Sequence, residues 1–202
     1  MHYYVTDSND KDKLTWLNII LSLVLAYCTS LIIIKMSWNN FWWLDIPSVF
    51  GYYGILNYFL NKYVWKWKKI RSILFINTPN LNGIWQGNLS SSFNNHTQKI
   101  NVKVNIKQSL TKMAISFESE QSRGHSIIAT LLIDDVGSRA LRYEYLNEPK
   151  IDSPETMHMH RGTSHLILVD DHTLDGDYYS GRDRVQRGLI NLRRNKNGKN
   201  PI

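Results

Sequence analysis

Residues 14–34, LTWLNIILSLVLAYCTSLIII, are twenty-one consecutive positions without a charged side chain. At ~1.5 Å of rise per residue, a helix of that length reaches about 32 Å, enough to cross a hydrocarbon core of ~30 Å. So broad an apolar surface is unfavourable in water, whereas a helix satisfies its own backbone polar groups and can reside in lipid. The flank before it mixes signs (Asp10, Lys11, Asp12, Lys13). The apolar run is longer than that of a secretory signal, and no small-x-small cleavage site follows. The segment reads as an uncleaved span, and the remaining chain must be arranged around it.

A second apolar segment comes at once. Residues 46–60 carry no charge, and Tyr63, Trp65 and Trp67 with a snorkelling Lys62 bring the segment up to membrane length. Pro47 is acceptable in a first helical turn. The connection 36–45 holds Trp38, Phe41, Trp42 and Trp43, side chains that settle at lipid–water interfaces. The expectation is a two-helix transmembrane hairpin over 14–70, preceded by a polar cytoplasmic tail, 1–13, and followed by a basic linker, 71–78. Lys62, Lys66, Lys68, Lys69 and Arg71 crowd the exit of the second helix, while the turn has only Lys35, offset by Asp45. The positive-inside rule then places both termini in the cytoplasm. The same lysines would also hold anionic headgroups, which gives the same topology. The single cysteine, Cys28, lies mid-span, so neither a disulfide framework nor a CxxC metal site is available.

From Pro79 the texture changes. QKINVKVNIKQ (98–108) alternates, with Ile100, Val102, Val104 and Ile106 on one face and Asn101, Lys103, Asn105 and Lys107 on the other, the pattern of a half-buried antiparallel strand. Met113, Ile115 and Phe117 alternate in the next strand. Residues 126–133 are more continuously apolar, and further strands are expected at 84–91, 141–146, 162–169, 173–180 and 186–194. About eight short strands without helical periodicity hide their edges most easily by closing. Residues 79–194 are thus expected to form a compact antiparallel β-barrel of about eight strands, wide enough inside for side chains or one small ligand, with 195–202 a polar tail. The fold class is membrane-anchored all-β.

No G-x-S-x-G elbow or glycine-rich phosphate loop occurs, and no acid–base pair stands out. His158, His160 and His165 suggest a metal, but no third ligand is fixed at a convincing spacing, and they read as surface strand histidines. The acidic run DDHTLDGD lacks the spacing of a calcium loop and reads as a turn. The chain is therefore expected to be no enzyme and to need no cofactor or metal. A basic and aromatic set is more informative. Arg142, Tyr143, Tyr145, Arg161, Tyr178, Arg182, Arg184 and Arg187 supply guanidiniums for phosphates and aromatic faces for bases. A barrel mouth bearing them would suit a small anionic ligand that contains bases. The other reading of this set is a solvated basic surface facing an anionic leaflet.

Leu81-Asn82-Gly83-Ile84-Trp85 and Leu174-Asp175-Gly176-Asp177-Tyr178 echo one another. The first looks like the G-x-W opening of lipocalin-type barrels, in which the Trp closes one end and an arginine of the last strand packs on it. Arg193 or Arg194 is the candidate, and Arg193 is grouped with Gly83 and Trp85 as the closing set.

Two spans, a basic juxtamembrane segment and a β-rich domain that opens L-x-G-x-W and closes R-G-L-I-N-L-R resemble a bacterial family. These are the two-transmembrane, β-barrel effectors of cyclic-oligonucleotide anti-phage signalling (CBASS), of the CD-NTase-associated protein 15 type. The resemblance implies that a phage-activated nucleotidyltransferase makes a cyclic dinucleotide, which the cytoplasmic barrel binds. The protein then self-associates in the inner membrane and breaches the lipid bilayer, killing the infected cell. A membrane-tethered lipocalin-like carrier or sensor of a lipid or other apolar ligand is the alternative, and it predicts an apolar interior without convergent arginines.

Overall fold

The computed structural model describes residues 1–35, 49–133, 138–155, 157–181 and 186–195. The chain divides into two compact units, one of Asn9–Asn77 and one that joins Met1–Ser8 to the chain from Thr78 onward.

In the first unit, α1 (Asp10–Lys35) is long and apolar enough to cross a membrane. Asp10 and Asp12 in its first turn and Lys35 in its last complement the helix dipole. Leu14, Asn18 and Ser22, spaced four apart, form its buried stripe. Asn18 Nδ2 donates to the Tyr53 carbonyl of α2 (Val49–Lys62) at 3.3 Å, and Ser22 Oγ donates to the Asn18 carbonyl at 2.6 Å. Most of the other α1 side chains, including Trp16, Ile20 and Tyr27, are exposed, as a lipid-facing surface requires. The second expected span is described only from residue 49 onward. The described part of α2 has 14 residues, a rod of about 21 Å. It is followed by a 3-10 turn, Val64–Lys66, and a short helix α3, Lys68–Ile73. Only α1 has the length and composition of a span among the described residues. The expected interfacial turn lies outside them.

The second unit is built from nine strands: β1 His2–Thr6, β2 Gly83–Ser91, β3 Lys99–Gln108, β4 Lys112–Ser119, β5 Ser122–Ile133, β6 Arg139–Pro149, β7 His160–Asp170, β8 Thr173–Ser180 and β9 Arg187–Arg194. They close into a barrel in the order β1-β4-β3-β2-β9-β8-β7-β6-β5, with β4 and β5 also paired directly. Strands β2 to β9 are the expected antiparallel meander, and β2 seals on β9 from Trp85↔Arg194 to Ser91↔Gly188. The apolar run at 126–133 does not mark burial on both faces. A bulge between Ser126 and Ile128 shifts the alternation, so that Ile127 and Ile128 both face outward while Ala129 and Leu131 return to the core.

The ninth strand corrects the expected free tail. β1 pairs with β4 at His2↔Met113 and Tyr3↔Lys112, and then runs parallel to β5 from Tyr4↔Ala129 to Thr6↔Leu131. Tyr4 is buried in the barrel core and its hydroxyl donates to the Leu110 carbonyl at 2.9 Å. The helical unit is therefore an insertion between the first two strands of the barrel. Its two crossings lie side by side, with Ser8 Oγ and Thr78 Oγ1 3.0 Å apart.

One end of the barrel is solid. Trp85 is fully buried among Ile106, Met113, Leu174 and Leu192, and its Nε1 donates to the Leu81 carbonyl at 3.0 Å. The arginine over its ring is Arg194, with the guanidinium carbon 4.5 Å from the ring centroid. Arg193 faces outward, because alternation along β9 sends neighbouring residues to opposite faces. Arg194 also donates to the Asn80 carbonyl, and burial lowers its pKa. Gln108 bolts the segment leading into β2 down, accepting from Leu81 N at 2.8 Å and donating to the Pro79 carbonyl at 3.1 Å. Gly83 enters β2 at φ +135°, a conformation closed to residues with a Cβ.

Candidate functional site

The opposite end of the barrel is hollow. A cavity of about 430 Å³ is bounded by the β2, β3, β4, β6, β8 and β9 walls and by the β4–β5 turn. Its floor is aromatic. Phe117 and Tyr145 meet edge to face at 5.2 Å between ring centroids, and Tyr143 stands 6.1 Å from Tyr145, with Tyr178 also on the wall. Around them the lining mixes uncharged polar side chains (Ser91, Ser119, Ser122, Asn147, Gln98, Gln121 and Gln186) with apolar ones such as Leu89, Ile100, Val102 and Ile190, and Lys99, Glu120 and His160 are its charged or titratable members.

Glycines on neighbouring strands make room for these rings. Phe117 pairs with Gly124, Tyr145 with Gly162 and Tyr178 with Gly188. In each pair a Cβ on the glycine would occupy the space of the opposing ring. The ring ends occupy the space of the missing side chains, which braces otherwise weak strand positions.

Burial also shapes the titration of the wall. It pushes the Tyr143 phenol up to about 12, partly offset by its hydrogen bond with Ser164. Tyr145 is raised further by burial and by the neighbouring Tyr143 and Tyr178. Both phenols are neutral donors at ordinary pH.

The structure divides the eight residues expected to bind ligand. Tyr143, Tyr145 and Tyr178 line the cavity. Arg142, Arg161 and Arg187 are exposed on the outer face, and Arg161 Nη1 stands 3.8 Å from Glu144 Oε1. Arg142 cannot join Tyr143 because adjacent residues of a strand point to opposite sides. Arg182 and Arg184 lie outside the described residues. Of the three histidines, His160 reaches the cavity, with Nδ1 2.9 Å from the His158 carbonyl, while His165 takes an outward position on β7. Asn147 and the three glutamines were not foreseen. Asn147 had a signal, since it continues the inward series Tyr143, Tyr145 along β6. The glutamines stand at strand ends and turns, where period-2 patterning gives no direction.

Comparisons with known proteins bear on the same region. Residues 76–194 match the family described as Cap15, cyclic dinucleotide receptor domain. Two curated relatives carry the name CD-NTase-associated protein 15. That of Staphylococcus schleiferi is 28% identical over 172 residues, covering 83% of this chain and 87% of its own length. That of Yersinia aleksiciae is 25% identical over 154 residues, covering 73% and 72%.

Proposed function

The chain belongs to the Cap15 cyclic dinucleotide receptor family of anti-phage (CBASS) effectors, and we propose that the hollow end of its barrel binds a cyclic dinucleotide. Binding drives self-association in the bacterial inner membrane and disrupts the bilayer, with no chemistry performed on the ligand. The observation that carries this reading is the aromatic floor within the matched segment: Phe117, Tyr143, Tyr145 and Tyr178 line the cavity and supply rings of the kind on which bases stack. The phenols, serines, Asn147 and glutamines supply donors and acceptors for base edges and ribose, and Lys99 and His160 supply donors for phosphate. We assign Arg182 and Arg184 to the phosphates as well, since they lie within four residues of Gln186, which lines the cavity.

α1 crosses the membrane, and α2 with Tyr63, Trp65 and Trp67 completes a second crossing, leaving both termini cytoplasmic. A ligand shifts such a system only by binding the assembled state more tightly than the free one. Confinement of the helices to a plane raises their effective concentration, which lowers the difference required.

One observation favours the apolar-ligand alternative: the described cavity wall contains no arginine and includes Leu89, Ile100, Val102 and Ile190. A thermal-shift screen of the full chain in detergent separates the two. The full chain is needed because β1 contributes Tyr4 to the core. A cyclic dinucleotide at 100-fold its dissociation constant is expected to add ~2.7 kcal/mol of stability. Stabilisation by fatty acids but by no cyclic nucleotide would establish the carrier instead.

A further inference from the structure

The wall of the barrel contains a second occupied position, in the fork between β4 and β5. These strands leave their turn paired from Ser116↔His125 to Glu118↔Arg123 and then part at the bulge beyond Ser126. β1 fills the gap. It is held by two short runs of pairing, His2–Tyr3 on β4 and Tyr4–Thr6 on β5, and Tyr4 is its only buried side chain. The fork is built to receive it. Ser126 Oγ accepts from Ile115 N at 3.0 Å and lies 2.7 Å from His2 Nε2, so one hydroxyl marks the point of divergence and the entering strand. Leu110 O takes the Tyr4 hydroxyl at 2.9 Å, and Ile133 N donates to both Asp7 carboxylate oxygens at 2.8 and 2.9 Å.

We propose that this fork is a strand-binding site whose occupant, β1, is released while the barrel stays closed, and that its release links the cavity to the membrane helix. Closure survives because β4 and β5 already pair directly beside the turn. The link to the cavity runs through the same hairpin, whose residues Phe117, Ser119 and Ser122 line the hollow end while Met113 and Ala129 hold β1. The link to the membrane is the chain itself, as only Asp7, Ser8 and Asn9 separate β1 from α1. A ligand that spreads or tightens the hairpin changes the fit of β1 and so the tether on the first turn of α1. The partner class of the fork is an extended strand with an aromatic residue at its third position from the entry, supplied here by the chain's own N-terminus. The coupling half of this inference rests on the cyclic dinucleotide reading; strand release does not.

The test has two readouts on the full chain in micelles or vesicles. In amide exchange, the amides of Tyr4–Thr6 are expected to exchange at least tenfold faster than those of Val104 and Leu192, and equal rates would overturn release. The second readout pins β1. Lys112 Nζ sits 4.6 Å from the Tyr3 ring centroid on the outer face, so Tyr3→Cys with Lys112→Cys, in a Cys28→Ser background, places two thiols across one register pair. The oxidised chain is expected to bind cyclic dinucleotide within threefold of the reduced chain while ligand-triggered vesicle leakage falls at least tenfold, recovering on reduction. Equal leakage from both forms would overturn the coupling. If the reduced chain gains no thermal stability from any cyclic dinucleotide, the ligand assignment fails, and release stands or falls on the exchange rates alone.

Discussion

The two ends of the barrel are made by the same strands and differ in what their inward positions carry. At the solid end the inward series of β2, β3, β8 and β9 delivers Trp85, Ile106, Leu174, Leu192 and the stem of Arg194, and the backbone entering the barrel is fastened by Gln108. At the hollow end the same strands deliver Ser91, Ile100, Tyr178 and Gly188. Large side chains there pack against glycines of the neighbouring strands, and a cavity is left in the middle. Stability and binding are thereby separated along one axis. The packed end can be optimised for density, and the other can hold polar groups whose partners arrive with a ligand.

Substitutions at the two ends should therefore read out differently, and this contrast can be broken. Trp85→Ala at the solid end is expected to cost about 3–5 kcal/mol, measured by denaturant unfolding in detergent. A loss below 1 kcal/mol would show that the solid end does not carry the fold. The next effect is alkaline. The Tyr143 phenol is raised to about 12 in the folded chain, against ~10 unfolded. Both states hold the proton below pH 10; between pH 10 and 12 only the unfolded state releases it, so stability falls as pH rises through that window. The share of Tyr143 is on the order of 2–3 kcal/mol over the whole window, the likewise raised Tyr145 adds to it, and Tyr143→Phe should reduce the loss between unfolding curves at pH 9 and 11 without abolishing it.

Tyr145→Ala at the hollow end should weaken cyclic dinucleotide binding by the value of one stacked base, roughly 1–3 kcal/mol, by calorimetric titration. Trp85→Phe should leave that affinity unchanged. Smallest is the exposed pair of Lys150 Nζ and Glu118 Oε1 at 2.8 Å, beside the β4–β5 turn. The hydrogen bond and charge of Lys150 hold the Glu118 carboxyl below its usual range. Its contribution is present at neutral pH and lost as pH falls through the acid range. Glu118→Gln should thus shift the melting temperature slightly at pH 7 and leave it unchanged near pH 3.

What the sequence disclosed follows the same contrast. Strands β2 to β9 were legible because one face of each meets a core and the other water, and the alternation at 99–108 needs no partner to be seen. β1 was not legible. His-Tyr-Tyr-Val-Thr is five residues without apolar–polar alternation, and its pairing with Ala129 and Met113 spans more than a hundred positions. Of the second expected span the described helix covers Val49–Lys62, and aromatic residues beyond Lys62 carry the apolar character past its end. In the expected site, Tyr143, Tyr145 and Tyr178 line the cavity, while the two-residue period of β6 turns Arg142 outward from Tyr143. The glycine–aromatic pairs depend on register, which no single strand displays.

The central claim is that the ligand occupies the hollow end, inside the ring of Tyr143, Tyr145 and Tyr178. Photo-crosslinking of the full chain with an azido-purine cyclic dinucleotide, followed by peptide mapping, tests it most directly. The account predicts labels on inward residues of β6 and β8, with labelling suppressed by unlabelled ligand and lost in Tyr145→Ala. Competable labels confined to outward residues such as Arg142, Arg161 and Arg187 would contradict it and place the messenger on the barrel's outer face.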